Sequence, residues 1–400
     1  MSDANTPVLI SDLSGVSLLR LARSDRDAGR AKLRSLSPDA LASACAELRP
    51  EVRSEFLMLL DHPEDVVPLL PIAEVAITIR SGGMSEAAWL LEIASPEQRV
   101  ACIDLDCWDV YDLERPRVVE WIDALIEAGR PTLLKALDEW DPEVWLLALR
   151  ALGEMQIVGK EDEPPPGWFT VDGVVYWNPL EHDDFARLNE IAGASFSEAN
   201  PRYWQLVYGM LFESQSDMEE YAIKWRSGRM NDLGFPDREQ ALRLYTRLEV
   251  ENAEVIDATV FSEEDASSLV QQAQLPAPLR KSLVGEALCE LPMVRAMELL
   301  GYVLGVANAI AVTDQLRLSE TESIPRAIEK ALAGIEIGLR AVATARDLQP
   351  HEVLDRTVPG DLFRIGATLD DTLREGLRMA GDDDDSEDED GEGPDDAAAE

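Results

Sequence analysis

Residues 95–105 read SPEQRVACIDL. Ser95 offers a side-chain oxygen to the unpaired amides of a helix start. Pro96 follows at the first helical position, where its missing N–H costs no hydrogen bond and its φ is already helical. Glu97 then meets the positive end of the helix dipole. The same device recurs in LSPDALASACAEL (36–48), RPEVRSEFLMLL (49–60), HPEDVVPLL (62–70) and DPEVWLLALRAL (141–152), with Ser37 and Asp141 in the place of Ser95. Behind the starts, apolar residues return three and four apart, as in Leu41, Cys45 and Leu48, or Val144, Leu147 and Leu152. Helices of about 10–13 residues are marginal alone in water, so they must layer on one another. Pro38, Pro50 and Pro63 lie 12 and 13 residues apart and the spacing then lengthens. The expectation is a solenoid-like array, not a counted repeat.

Working outward, GKEDEPPPG (159–167) is a charged, proline-rich linker. WFTVDGVVYW (168–177) sets two β-prone runs around Asp172-Gly173, the signal of a two-residue hairpin turn. From 183 onward the pattern is helical again. MVRAMELLGYVLGVANAIAV (293–312) is apolar nearly all round and reads as central, with IPRAIEKALAGIEIGLRAVA (324–343) packed on it. Its longest apolar run, 299–313, is 15 residues, short for a membrane span of about 20. The predicted fold is mainly α: a solenoid-like array of short helices with one small β-hairpin insert and a disordered acidic tail. The predicted regions are an N-terminal arm (1–29), a helical solenoid-like domain (30–158), the linker and hairpin (159–182), a second helical domain (183–350), a C-terminal helix region (351–380) and the tail (381–400).

The formal charge of the 400 residues is −42. The tail from Gly381 to Glu400 holds 12 acids and no base; without it 66 acids still face 36 bases. Such a field repels nucleic acid and anionic membranes and favours basic partners; a salt-rich habitat explains the same numbers. Cys45, Cys102, Cys107 and Cys289 form no C-x-x-C pair and read as reduced, mostly buried thiols of a cytoplasmic protein. The N-terminus MSDANTPVLISD has no secretory signal pattern.

SPEQRVACIDLDCWD (95–109), the TVDGVVYW hairpin (170–177) and WRSGRMNDLGFPDREQALRLY (225–245) resemble the uncharacterised bacterial family catalogued as domain of unknown function 6178, over most of 30–345. That family implies no activity and supplies no catalytic residues. The helix starts at 36–70 are distantly similar to the N-terminal cytosolic helical domain of magnesium transporters, a regulatory superhelix. Only architecture carries over from it.

IDLDCWDVYD (103–112) packs Asp104, Asp106, Asp109 and Asp112 beside Cys107 and Trp108. An EF-hand loop opening at Asp104 needs glycine at 109 and glutamate at 115, which are Asp109 and Arg115. No histidine stands near enough for a zinc set. The stretch therefore reads as a helix end, with Trp108 and Tyr111 plugging the turn and the aspartates capping the next helix or facing solvent. EHDDF (181–185), with His182, reads as an acidic helix start. No nucleophile elbow, phosphate loop or dinucleotide fingerprint is present. Gly301 and Gly305 suggest close helix packing, within the monomer rather than across a dimer seam.

KWRSGRM (224–230) is a basic spot in an acidic chain. Trp225, Arg226 and Arg229 can hold an anion or an acidic segment, or neutralise acids inside the fold. Asp382, Asp383, Asp384 and Asp385 in the tail are candidates for gripping a basic protein, and Ser386 lies in an acidic phosphorylation context. The sequence predicts no cofactor, no metal and no catalytic residue. It points to a cytosolic, non-enzymatic protein-interaction scaffold or adaptor; the alternatives are tail-mediated shielding of a basic protein and an unrecognised enzyme.

Overall fold

The computed structural model describes residues 14–159, 161–257, 269–272, 275–375 and 377. The proline-led starts become helices where predicted. The first helices are α1 Gly15–Ser24, α2 Arg26–Arg34, α3 Pro38–Ala46, α4 Pro50–Leu57, α5 Ile72–Gly82, α6 Met84–Ala87 and α7 Leu90–Ile93. Then come α8 Pro96–Asp106, α9 Arg115–Glu127, α10 Arg130–Glu139, α11 Pro142–Leu152, α12 Asp184–Glu198, α13 Asn200–Phe212 and α14 Gln215–Asp232. Ser37 accepts from the Ala40 amide, and Ser95 forms a reciprocal capping box with Gln98. Two starts differ. Pro63 opens only a 3-10 turn, Pro63–Asp65. Asp141 makes no cap bond to its own helix, its carboxylate being held by Arg229.

The Cα positions divide into two units: 1–229 with 317–321, and 230–316 with 322–400. The boundary falls inside α14, and α12 and α13 belong to the first unit. In that unit each helix packs on near predecessors: α5 on α4, α8 on α5, α10 on α8 and α9, α13 on α11 and α12. Apolar faces drive the layering, and the buried set includes Phe56, Ile79, Trp121, Ile122 and Trp145. The open carbonyls at helix C-termini are finished by polar side chains of other layers. Gln98 donates to Val67 O and Leu70 O, and Arg99 to Leu91 O. Arg115 donates to Ala151 O, and Arg202 to Leu137 O and Trp140 O.

The hairpin insert is a three-stranded antiparallel sheet. Strand Gly153–Ile157 runs straight out of α11 and pairs with Val175–Pro179, which also pairs with Phe169–Thr170. The strands end at Thr170 and begin again at Val175, leaving 171–174 to turn, a wider loop than the two-residue one expected. Asp172 accepts from the Val174 and Val175 amides and from Tyr203 Oη, and Gly173 takes φ +76°. A second ribbon, absent from the sequence reading, pairs Trp108–Asp109 with Asp112–Leu113.

The second unit holds α15 Arg238–Leu242, α16 Leu283–Cys289, α17 Met293–Thr313, α18 Ser323–Arg346, α19 Pro350–Arg356 and α20 Pro359–Leu369. α18 packs on α17, as expected, and most extensively on α20. A Cβ added at Gly338 would lie 1.9 Å from Leu362 O, and one at Gly366 2.0 Å from Gly334 O. These glycines set the close α18–α20 approach. Gly301 and Gly305 do not: a Cβ there meets nothing within 4 Å. α17 is not wholly buried either. Leu299, Val303, Ile310 and their row face inward, whereas Val294, Met297 and Tyr302 are at least half exposed. Among the described residues α17 alone is long and apolar enough to cross a membrane by length and composition.

Candidate functional site: the aspartate turn and the faces around it

The last turn of α8 carries two acids into the interior, because Asp104 and Asp106 share the helix with buried Ala101, Cys102 and Leu105. Asp106 is 1% exposed. Its carboxylate accepts from Trp121 Nε1 at 2.7 Å and from Arg80 and Ser319 Oγ, with Arg117 Nη1 at 3.7 Å. Arg317, on the same short segment as Ser319, grips Glu114 through both terminal nitrogens. Asp104 is gripped by Arg229 through Nε at 2.6 Å and Nη2 at 3.0 Å, and its backbone oxygen accepts from Arg226 Nε at 2.9 Å. Burial pushes the Asp104 carboxyl up, against the opposing hydrogen bonds from Arg229. On Arg229 burial works downward, but the hydrogen bonds of Asp104 and Asp141 outweigh it and raise the guanidinium.

The expectation that these aspartates cap a helix or face solvent is corrected for Asp104 and Asp106; it holds for the exposure of Asp109 and Asp112. Trp108 does plug the turn, with Arg226 5.4 Å above its ring, but Tyr111 points out to solvent. These donors stand in for bulk water: an isolated buried carboxylate is prohibitively costly, a paired and hydrogen-bonded one far less so. In KWRSGRM, Arg226 and Arg229 are thus spent on Asp104 inside the fold. Trp225 is 49% exposed, with Lys224 Nζ 6.0 Å from its ring. Asp382, Asp383, Asp384 and Asp385 lie outside the described residues.

In EHDDF, Asp183 stands at the N-cap of α12 and His182 is exposed, while Asp184 is fully buried between Arg115 and Arg187. Cys45 is pushed to about 12 by burial, and burial likewise raises Cys102, Cys107 and Cys289, so no described thiol is poised as a thiolate. Among the described residues no cluster of three or more His, Cys, Asp or Glu side chains is arranged to hold a metal.

Two surface features of the first unit went unread in the sequence. One is an aromatic row on α13. Trp204 and Tyr208 have ring centroids 5.9 Å apart, and Tyr208 and Phe212 stack at 6.2 Å. Tyr208 is 54% and Phe212 78% exposed. Aromatics four apart in PRYWQLVYGMLF were the available signal, since residues four apart share a helix face. The other is a cleft of about 300 Å³ beside the Trp108–Leu113 ribbon, walled by residues of α9, α11 and α14. No spacing rule announces it, because four separate segments build it.

No curated protein and no solved structure matches this chain. A family model described as a family of unknown function, DUF6178, matches residues 30–381. That span takes in the aspartate turn, the hairpin sheet and the helices of both units from α3 onward, and the chain belongs to this family.

Proposed function

We propose that this protein is a cytosolic, non-enzymatic helical scaffold that holds a protein partner against the exposed face of α13. The observation that carries the reading is the row Trp204, Tyr208 and Phe212, outward on a helix whose other face is anchored by Tyr203, Leu206 and Val207. Large aromatic rings are the side chains that most often dominate binding energy at interfaces. Exposed Glu213, Asp217 and Glu220 follow the row, so the matching partner presents an apolar stripe rimmed by Lys or Arg. The committed state of the buried acids and thiols supports a binding role over a chemical one.

The test is affinity capture with identification of co-eluting proteins. Three chains are compared: the native one, a Tyr208→Ala/Phe212→Ala double variant, and one ending at Ala380. The reading expects a partner lost with the double variant and retained without the tail. It fails if the double variant captures the same proteins as the native chain. Loss on removing the tail alone would transfer the role to the acidic segment.

A further inference from the structure

We infer that the cleft beside the Trp108–Leu113 ribbon is a binding site for a zwitterionic α-amino acid with an apolar side chain. Its floor and walls are apolar: Trp108, Leu113, Val118, Leu147, Ala148 and Ala151. At about 300 Å³ it stands at the small end of ligand pockets, room for one residue-sized molecule.

The polar groups sort by what already holds them. Arg115 is spent: Nε donates to Ala151 O, Nη2 to Asp184 and Nη1 faces Glu181. Arg150 is not. Among the described residues only its Nη2 donates, to the backbone oxygens of Met210 and Glu213 at 3.2 and 2.7 Å, and no described carboxylate pairs with it. Those two carbonyls fix the side chain, leaving Nε and Nη1 as donors and the full positive charge without a counter-ion. In a chain of net −42, a half-buried arginine in no ion pair with a described carboxylate suits an incoming carboxylate. The same cleft holds two carboxylates in no ion pair with a described residue. Asp112 stands on the ribbon edge, and among the described residues Glu219 accepts only from the Gln215 amide, at 2.8 Å. They suit an ammonium group. One unspent cation and two unspent anions over an apolar floor describe an amino acid better than a simple anion or cation.

The ribbon turn adds a separate observation. Its two linking residues are Val110 and Tyr111, and Val110 sits at φ +48°. A two-residue hairpin with a left-handed first residue is ordinarily glycine's place. A β-branched residue there is strained, and such strain clusters at functional sites. The strained turn holds Tyr111 at the cleft mouth.

The full chain is titrated with L-leucine, L-phenylalanine and L-tryptophan by calorimetry and thermal shift, alongside phenylpropionate and phenethylamine, which each lack one charge. The expected result is saturable binding of at least one amino acid, with about tenfold or greater loss for both single-charge analogues. Arg150→Gln should lose about tenfold as well. Because Arg150 also secures backbone oxygens, Asp112→Asn supplies a second variant at an exposed position, and it too should weaken binding with the melting temperature of the free protein unchanged. Absence of binding at millimolar amino acid overturns the inference, as does equal affinity in both variants or in either analogue.

Discussion

Asp106 shows how one residue can decide a local structure. A carboxylate at 1% exposure is tolerable only because Arg80, Trp121 and Ser319 all donate to it. Asp106→Asn keeps the shape but cancels the charge that Arg80 faces, leaving a cation half-compensated in the interior. Unpairing a buried ion costs about 3–5 kcal/mol, and urea unfolding should register a loss at the lower end of that range. If the variant unfolds at the native midpoint, the network contributes nothing net. The cysteines give a second residue-level prediction. Burial raises all four thiols, but only Cys289 is partly exposed. At pH 8 a thiol reagent should label Cys289 first and reach Cys45, Cys102 and Cys107 only on unfolding, as peptide mapping of the labelled chain would reveal. Glu114 gives a third. The hydrogen bond from Arg317 holds its carboxyl below the ordinary 4.5. A folded value below the unfolded one means stability is present above about pH 4.5 and is lost as pH falls through the folded value. Glu114→Gln should therefore cost about 1 kcal/mol at pH 7 and flatten the acid limb of a stability-versus-pH curve below pH 4.5 or so.

At the scale of elements, two devices hold the layers. Proline-led starts position each helix, and polar side chains from other layers close the open carbonyl ends. The capping box at α8 is a clean place to measure the first device. Ser95→Ala should cost about 1 kcal/mol, with no change at the aspartate turn, one helix length away. Close backbone approach is the second unit's counterpart. Gly338→Ala or Gly366→Ala would drive a methyl into a backbone oxygen of the facing helix, and overpacking of that kind costs about 1–3 kcal/mol. Gly301→Ala, with open space around it, should be neutral or slightly stabilising, since alanine is the better helix former. A thermal melt of the three variants separates the positions. The sequence pointed to Gly301 and Gly305 because their helix is the more apolar one. Apolar composition reports how much surface wants to leave water, not which backbone a neighbour approaches.

Across the whole molecule, the formal charge of −42 makes each unit self-repelling, and the ion pairs only partly offset it. Screening by salt shortens the reach of that repulsion to about 8–10 Å at physiological ionic strength. The melting temperature should therefore rise between low salt and about 0.15 M; a fall over the same range would show that the ion pairs dominate. The sequence by itself determined the helical class, most of the proline-led starts and the place of the turn at Asp172-Gly173. These depend on φ restriction, capping and residue periodicity, which act over a few neighbours. Only the tertiary structure decided that Asp104 and Asp106 go inside, that Arg226 and Arg229 turn inward to meet Asp104, and that Arg150 is left unspent at a cleft. Charge pairing depends on which of 78 acids comes within a few ångströms of a given base, and with partners more than a hundred residues apart no local pattern carries that choice.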